Sequence, residues 1–143
     1  MPDFSHFAAA QPSETLAEYA FSQLEGCPRV WVAFAGETNK AYLNDTLKRM
    51  RGKSNAMLAA RLMSPDQLRE VREEDRQIYS RHVVKRWDVR DASGEAVELN
   101  PQNCLEFLQA LPNWVFDELR AFAGNPVNFL PAGVAGAEET GKD

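Results

Sequence analysis

The sequence predicts a mainly α-helical small domain with one short strand and a minor β-hairpin. Apolar residues recur at spacings of three and four along most of its 143 residues. The pairs Ser64-Pro65 and Asn100-Pro101 each combine a helix-capping side chain with a proline that fits the first turn. Only residues 29–34 are short, β-branched and aromatic between two breakers, Pro28 and Gly36. The length is that of one domain.

The N-terminal quarter is expected to contain an arm, a helix and the strand. Residues 1–12 show no period, which predicts a flexible N-terminal arm ending at Pro12. A helix is expected over residues 13–24, because Ser13 can cap it and its apolar residues follow the helical period. Gly26 and Pro28 would end this helix, and the strand follows at residues 30–34.

The middle of the chain predicts further helices and a turn. One helix begins near Thr38 or Asn39 and breaks at Gly52, and a short helical stretch covers residues 55–63. The longest helix starts at Ser64-Pro65 and is expected to run to about residue 86. Residues 83–89 fit either its continuation or a strand. Residues 91–94 form a turn, after which residues 96–99 can pair back as a hairpin arm.

Two short helices and a tail complete the prediction. Helical apolar faces occur after Asn100-Pro101 and again over residues 114–123, where Gly124 ends the second helix. Residues 13–130 would thus form a single helical domain. Residues 131–143 are small and acidic, which predicts a disordered tail.

Charge and composition exclude several classes of protein. The net charge is -5, yet 13 of the 16 Lys and Arg lie between residues 40 and 90. This dipolar pattern favours self-association or an acidic partner for the middle of the chain, whereas the net negative charge disfavours nucleic acid as a ligand of the whole molecule. No signal peptide and no run of about 20 apolar residues occurs, so neither export nor a membrane is expected. Two cysteines fit a reducing cytosol.

No enzyme motif is present. The two Cys and two His lack metal-ligand spacing, and neither glycine-rich phosphate motif occurs. Asp75 and His82 share a helix face but lie two turns apart, about 10 Å, so they are expected to mark the polar boundary of the apolar stripe or to meet polar groups of a neighbouring helix. We therefore expect no catalytic residue, metal or cofactor.

A partner surface is expected on the two C-terminal helices and on the basic face of the longest helix. The C-terminal helices carry more large apolar residues than two short helices can hide against each other. Phe116 and Leu119 are expected in the core. In the longest helix, Arg72 and Arg76 repel each other unless an acid from another element or chain meets them. The candidate partner-binding residues are Trp114, Phe122, Phe129, Arg76, Arg81 and Lys85.

Several short segments resemble the tail assembly chaperones of long-tailed bacteriophages. That family shows a tryptophan before a D-x-x-G turn, a capped helix, an LP break into another helix and a closing N-F pair. The matching segments are Trp87-Asp-Val-Arg-Asp-Ala-Ser-Gly-Glu-Ala-Val97, Asn100-Pro-Gln-Asn103, Leu111-Pro-Asn-Trp-Val-Phe-Asp-Glu-Leu119 and Asn128-Phe129. Upstream, residues 30–34 and 37–42 are similar to the family's strand and helix start.

The resemblance spans about residues 29–130 and implies a non-enzymatic assembly factor of the host cytoplasm. Such a factor binds and solubilises the tape measure protein during tail morphogenesis, and can also bind the tail tube protein. Members often occur also as a frameshifted, extended form, which here would attach after Pro131. The alternatives are a small nucleic-acid-binding phage regulator and a structural virion subunit, such as a connector or tail-end protein.

Overall fold

The computed structural model describes residues 2–50 and 64–131, and the fold is mixed rather than mainly helical. In these residues four α-helices accompany a three-stranded antiparallel sheet. The prediction of a mainly α fold is therefore wrong. The elements are β1 (Ala17–Ala20), β2 (Arg29–Val32), α1 (Lys40–Met50), α2 (Pro65–His82), β3 (Val84–Asp88), α3 (Pro101–Ala110) and α4 (Asn113–Ala123), with 3-10 helices at Ser5–Ala9 and Pro126–Phe129.

The helix expected over residues 13–24 is a strand. β1 pairs antiparallel with β2, which places Tyr19 opposite Val30. The connection between them uses left-handed backbone at Gly26 (φ 81°) and Cys27 (φ 46°). Four residues are too few for periodicity to separate strand from helix, and pairing with β2 decides between them.

The strand alternative for residues 83–89 is the correct one. α2 ends at His82, and β3 pairs antiparallel with β2, with a register shift between Trp31 and Val32. The Asn39 side chain donates a hydrogen bond to the His82 carbonyl (3.1 Å), which satisfies one of the carbonyls exposed at the end of α2. The long helix therefore stops four residues earlier than expected.

The minor hairpin around residues 91–94 is present. An isolated bridge joins Arg90 to Ala96, and the Val97 amide donates to the Val89 carbonyl (3.0 Å). Gly94 has a φ of 88°, a conformation that glycine adopts without strain. The Trp87 indole donates to the Val97 carbonyl (2.8 Å), so this hairpin is tied to β3.

The helices cover one face of the sheet and form the core with it. Both predicted caps are present: Ser64 forms a capping box with Gln67, and Asn100 accepts from the Asn103 amide. Phe116 and Leu119 are fully buried, as expected. Other fully buried side chains come from both layers: Phe21, Val30, Val32, Val83, Cys104, Leu108 and Val115. Burial on this scale makes the hydrophobic effect the main stabilising contribution.

The expected helical stretch at residues 55–63 and the tail at 132–143 lie outside the described residues. Before the sheet, Ser5–Ala9 contains no buried residue, and Phe4 and Phe7 are exposed. The body begins where the Ser13 amide donates to the Phe129 carbonyl (2.7 Å). Among the described residues no helix is long and apolar enough to span a bilayer.

Candidate functional site

A chain of four charged side chains joins α2 to α4. Arg72 donates two hydrogen bonds to the Asp117 carboxylate (3.0 and 2.9 Å). Asp117 also accepts from Arg120 (3.1 Å), and Arg120 lies 2.6 Å from an oxygen of Asp75. An acid from another element, Asp117, thus meets Arg72, which is one of the two ways in which its repulsion from Arg76 was expected to be relieved. Arg72 and Asp75 have the i,i+3 spacing of an ion pair within α2, but each pairs with a side chain of α4 instead.

The two carboxylates of this ion-pair chain, Asp117 and Asp75, have pKa values shifted in opposite directions. Hydrogen bonds from Arg72 and Arg120 hold the pKa of Asp117 below its ordinary value. Burial raises the pKa of Asp75, and the neighbouring Arg120 only partly offsets this. As expected, Asp75 does not meet His82, which instead lies 3.1 Å from Asp45 on α1. Each of the four charged side chains is paired with another of the four, so this ion-pair chain holds α2 and α4 together.

Arg76 is buried and is therefore no part of an accessible partner surface. It is 6 % exposed, and its guanidinium donates to the carbonyls of Leu108 (2.8 Å) and Leu111 (3.3 Å) and to the Asn113 side chain (3.1 Å). Its carbon Cζ also lies 4.7 Å from the centre of the Phe116 ring. Arg76 thus satisfies carbonyls at the end of α3 and holds the α3–α4 junction.

Of the three aromatic candidates, only Trp114 is exposed. It is 57 % exposed, whereas Phe129 is 2 % exposed and packs against Phe34 and Phe122. The expectation that Phe129 is available to a partner is wrong, because Pro126–Phe129 folds back and turns the ring into the core. Phe122 is half-buried against Tyr19, with ring centres 5.1 Å apart.

Trp114 lies one helical turn from the ion pair that joins the helices. It precedes Asp117 by three residues in the first turn of α4, while Val115 and Phe116 point into the core. On α2, the exposed Leu68 precedes Arg72 by four residues. Residues three or four apart are neighbours on a helix surface. The Arg72–Asp117 pair thus has an exposed apolar side chain one turn away on each helix.

The remaining basic candidates belong to a second region, around α1. Asp45 accepts hydrogen bonds from Arg49 (3.2 Å) and Arg81 (3.5 Å) and contacts His82. Burial raises the pKa of Asp45, but the bonds from Arg49 and His82 outweigh it and the net shift is downward. Half of the Arg81 side chain is exposed. Lys85, at the start of β3, is also exposed.

Sequence reasoning missed this cluster, although one signal was present. Asp45 and Arg49 have the i,i+4 spacing of a helix-surface ion pair. The contacts of Asp45 with Arg81 and His82 depend on how α1 packs on α2, which no local pattern indicates.

The cysteines show no sign of a reactive pair. Burial raises the pKa of the Cys104 thiol to about 12, which keeps it protonated. Cys27 is exposed in the β1–β2 connection. Among residues 2–50 and 64–131, no group of three or more His, Cys, Asp or Glu side chains could hold a metal ion.

A family model described as "YdaY prophage protein" matches residues 38–133. The chain belongs to this prophage protein family. Its origin is therefore a bacteriophage genome, as the sequence resemblance implied, and the description of the matched family names no role in tail assembly. The match runs from just before α1 to just beyond Pro126–Phe129 and so contains Trp114, the ion-pair chain and the Asp45 cluster. No curated protein and no solved structure matches the chain.

Proposed function

We propose that this YdaY-family protein is a non-enzymatic tail assembly chaperone of its phage. It acts in the host cytoplasm, where it binds and solubilises the tape measure protein before the tail is built, with the tail tube protein as a second partner. The observation that carries the proposal is the exposed Trp114 within the family-matched region, on a helix whose other large apolar side chains are mostly covered.

An exposed tryptophan suits the capture of an amphipathic helix. Its ring offers a large, rigid apolar surface at low cost in conformational entropy, and tryptophan is enriched among residues that dominate binding energy. The exposed Leu68 offers a second apolar contact on α2. The Arg72–Asp117 pair lies one turn from each of these side chains, so it can supply polar contacts at the edge of an apolar interface.

The charged side chains also favour binding over catalysis. Asp75, Asp117 and Asp45, three acids whose pKa values are shifted in the folded protein, are each engaged by arginine. A general acid or base must instead reach its substrate directly or through one water.

The experiment is co-expression with the tape measure protein encoded by the same prophage. The intact protein should raise the soluble fraction of the tape measure protein and co-purify with it. Trp114→Ala should remove most of this effect, with affinity loss of about 2 kcal/mol or more, because a central interface tryptophan is lost. Its melting temperature should stay nearly unchanged, since Trp114 contributes little to the core.

The matched control is Phe7→Ala, which truncates another exposed aromatic side chain but lies outside the family-matched residues. This variant should solubilise the tape measure protein as well as the unmodified chain does. If the intact chain leaves the solubility of the tape measure protein unchanged, the proposed chaperone function is refuted. Stoichiometric amounts of the chain in purified particles would instead indicate a virion subunit.

A further inference from the structure

A groove with an apolar floor and a basic rim lies beside the start of α1. It has a volume of about 410 Å³, and Pro12, Ala33 and Phe34 form its apolar lining. Lys40 and Lys85 line it as well, from the first residue of α1 and the start of β3. We call this cavity the Phe34 groove.

The rim of the Phe34 groove has an excess of positive charge. Lys40 and Lys85 are exposed and, in the part of the chain that the structure describes, neither has an ion-pair partner. Glu14 is the acidic residue of the lining. The groove carries this excess in a protein with a net charge of -5, so its local charge is opposite in sign to that of the whole protein.

The basic surface continues beyond the groove. Lys48, Arg49, Arg81 and His82 line a neighbouring depression that contains one acid, Asp45. The two depressions follow one another along the start of α1, since Asn39 and Lys40 line the first and Ala41 and Asn44 line the second. A ligand longer than one side chain can therefore meet Lys85 and Lys40 first and Lys48 or Arg81 next.

The packing of Phe34 favours a peptide over a nucleic acid. An added Cβ on Gly36 would lie only 2.3 Å from the Phe34 ring, so the ring rests directly against that glycine. The ring also packs against Phe129, with centres 5.4 Å apart. Single-stranded nucleic acids bind by stacking bases on open aromatic faces, and this ring is already engaged by its neighbours. The apolar side chains of a peptide can instead pack against the edge of the Phe34 ring.

We propose that the Phe34 groove binds an acidic segment of a partner protein that also carries apolar side chains. An apolar side chain packs on Phe34 and Ala33, while carboxylates pair with Lys40 and Lys85. The proposal rests on the proposed function only for the source of the segment, which would be an acidic region of the tape measure protein. This surface is separate in its residues from the one defined by Trp114.

Fluorescence anisotropy with a short labelled peptide of glutamate and leucine tests the proposal. The full chain should bind this peptide, and binding should weaken as salt rises, because exposed charges are screened. Lys40→Gln and Lys85→Gln should each weaken binding about threefold, and the double variant about tenfold. Both side chains are exposed, so circular dichroism should show unchanged folding.

The matched control is Arg69→Gln, which removes the same charge from an exposed position on the first turns of α2. It should leave peptide binding unchanged. Equal binding by the double variant and the unmodified chain would overturn the proposal, as would equal binding of a peptide with lysine in place of glutamate. Tighter binding of duplex or single-stranded DNA, lost in the same double variant, would also overturn it.

The outcomes separate the two proposals. Peptide binding that depends on Lys40 and Lys85, together with an unsolubilised tape measure protein, would support the groove and refute the chaperone. Solubilisation of the tape measure protein that depends on Trp114, with no binding of the acidic peptide, would support the chaperone proposal and refute the groove proposal.

Discussion

α4 and α1 have the same length of 11 residues but opposite relations to the core. α4 buries Val115, Phe116, Leu119 and Ala123, whereas α1 buries none of its residues. α1 is held by the contact of Tyr42 with Tyr79, whose ring centres lie 6.2 Å apart, and by the ion pairs of Asp45. Both helices carry charged side chains that bond to α2, so charge pairing alone does not distinguish them.

The difference shows what a charged side chain does in each setting. Next to α4, Arg76 is enclosed by carbonyls and an aromatic ring, and removing it would leave the Leu111 carbonyl without this donor, while the Leu108 carbonyl would keep the Leu111 amide. Next to α1, the Arg81 side chain is partly exposed, so water can take its place as a hydrogen-bond partner of Asp45. We therefore expect the α4 region to determine stability and the α1 region to be free for recognition.

Phe116→Ala should have the largest effect on folding. Phe116 is fully buried and packs against Tyr79, with ring centres 5.5 Å apart. Truncation leaves a cavity and should lower the free energy of unfolding by about 3 to 5 kcal/mol. Urea titration measures this loss. A cost below about 1 kcal/mol would contradict the role assigned to α4.

Arg76→Met should have the next largest effect, about 2 to 4 kcal/mol, because the Leu111 carbonyl and the Asn113 side chain lose this donor and the Leu108 carbonyl loses one of its two. Methionine keeps the length and apolar stem of the side chain, so the loss reports the missing hydrogen bonds. The control is Arg81→Met on the same helix, which should cost less than about 0.5 kcal/mol. Similar unfolding midpoints for the two variants would contradict the claim that arginines near α4 contribute more to stability than arginines near α1.

Apart from the control Arg81→Met, Asp45→Asn should have the smallest effect, about 1 kcal/mol, since its partners remain within reach of water. The pKa of Asp45 is lower in the folded protein than its ordinary value. Its stabilising contribution is therefore fully present above the ordinary pKa and is lost as the pH falls through the folded value.

The unmodified chain should accordingly exceed the Asn variant in stability near neutral pH and lose this advantage below the ordinary aspartate pKa of about 3.9. Urea titrations at both pH values measure the difference. Hydrogen exchange should locate the loss in α1 rather than in α4. An advantage that grows toward acid pH would show that the assigned sign is wrong.

Local signals placed much of the C-terminal half correctly. Ser64-Pro65 and Asn100-Pro101 start helices where their capping chemistry indicates, and the spacing of Phe116 and Leu119 placed both in the core. The N-terminal half failed where the pattern was ambiguous. The spacing of Leu16, Tyr19 and Leu24 fits a helix, but residues 17–20 form a strand because β2 is available to pair with them.

The sequence predicted only part of the candidate site, again because local signals do not show which elements pack together. Trp114 and Phe129 were both partner-binding candidates from the sequence, and Trp114, just after the break at Pro112, is exposed. Phe129 also follows a break, at Gly124, yet it is buried because the 3-10 turn at Pro126–Phe129 directs it onto Phe34. Exposure beyond a helix end depends on what the following turn packs against, and sequence spacing does not contain that information.

The sequence by itself determined the helix starts, the turn at residues 91–94, the strand β2 and the apolar face of α4, because capping, turn chemistry and periodicity act over a few residues. Only the tertiary structure decided which arginines are enclosed. Arg72, Arg76 and Arg81 look alike along the helix, but the first meets Asp117, the second meets the end of α3 and the third remains half-exposed beside Asp45. Their partners lie 32 to 45 residues away in the chain, and only packing brings them within hydrogen-bond distance.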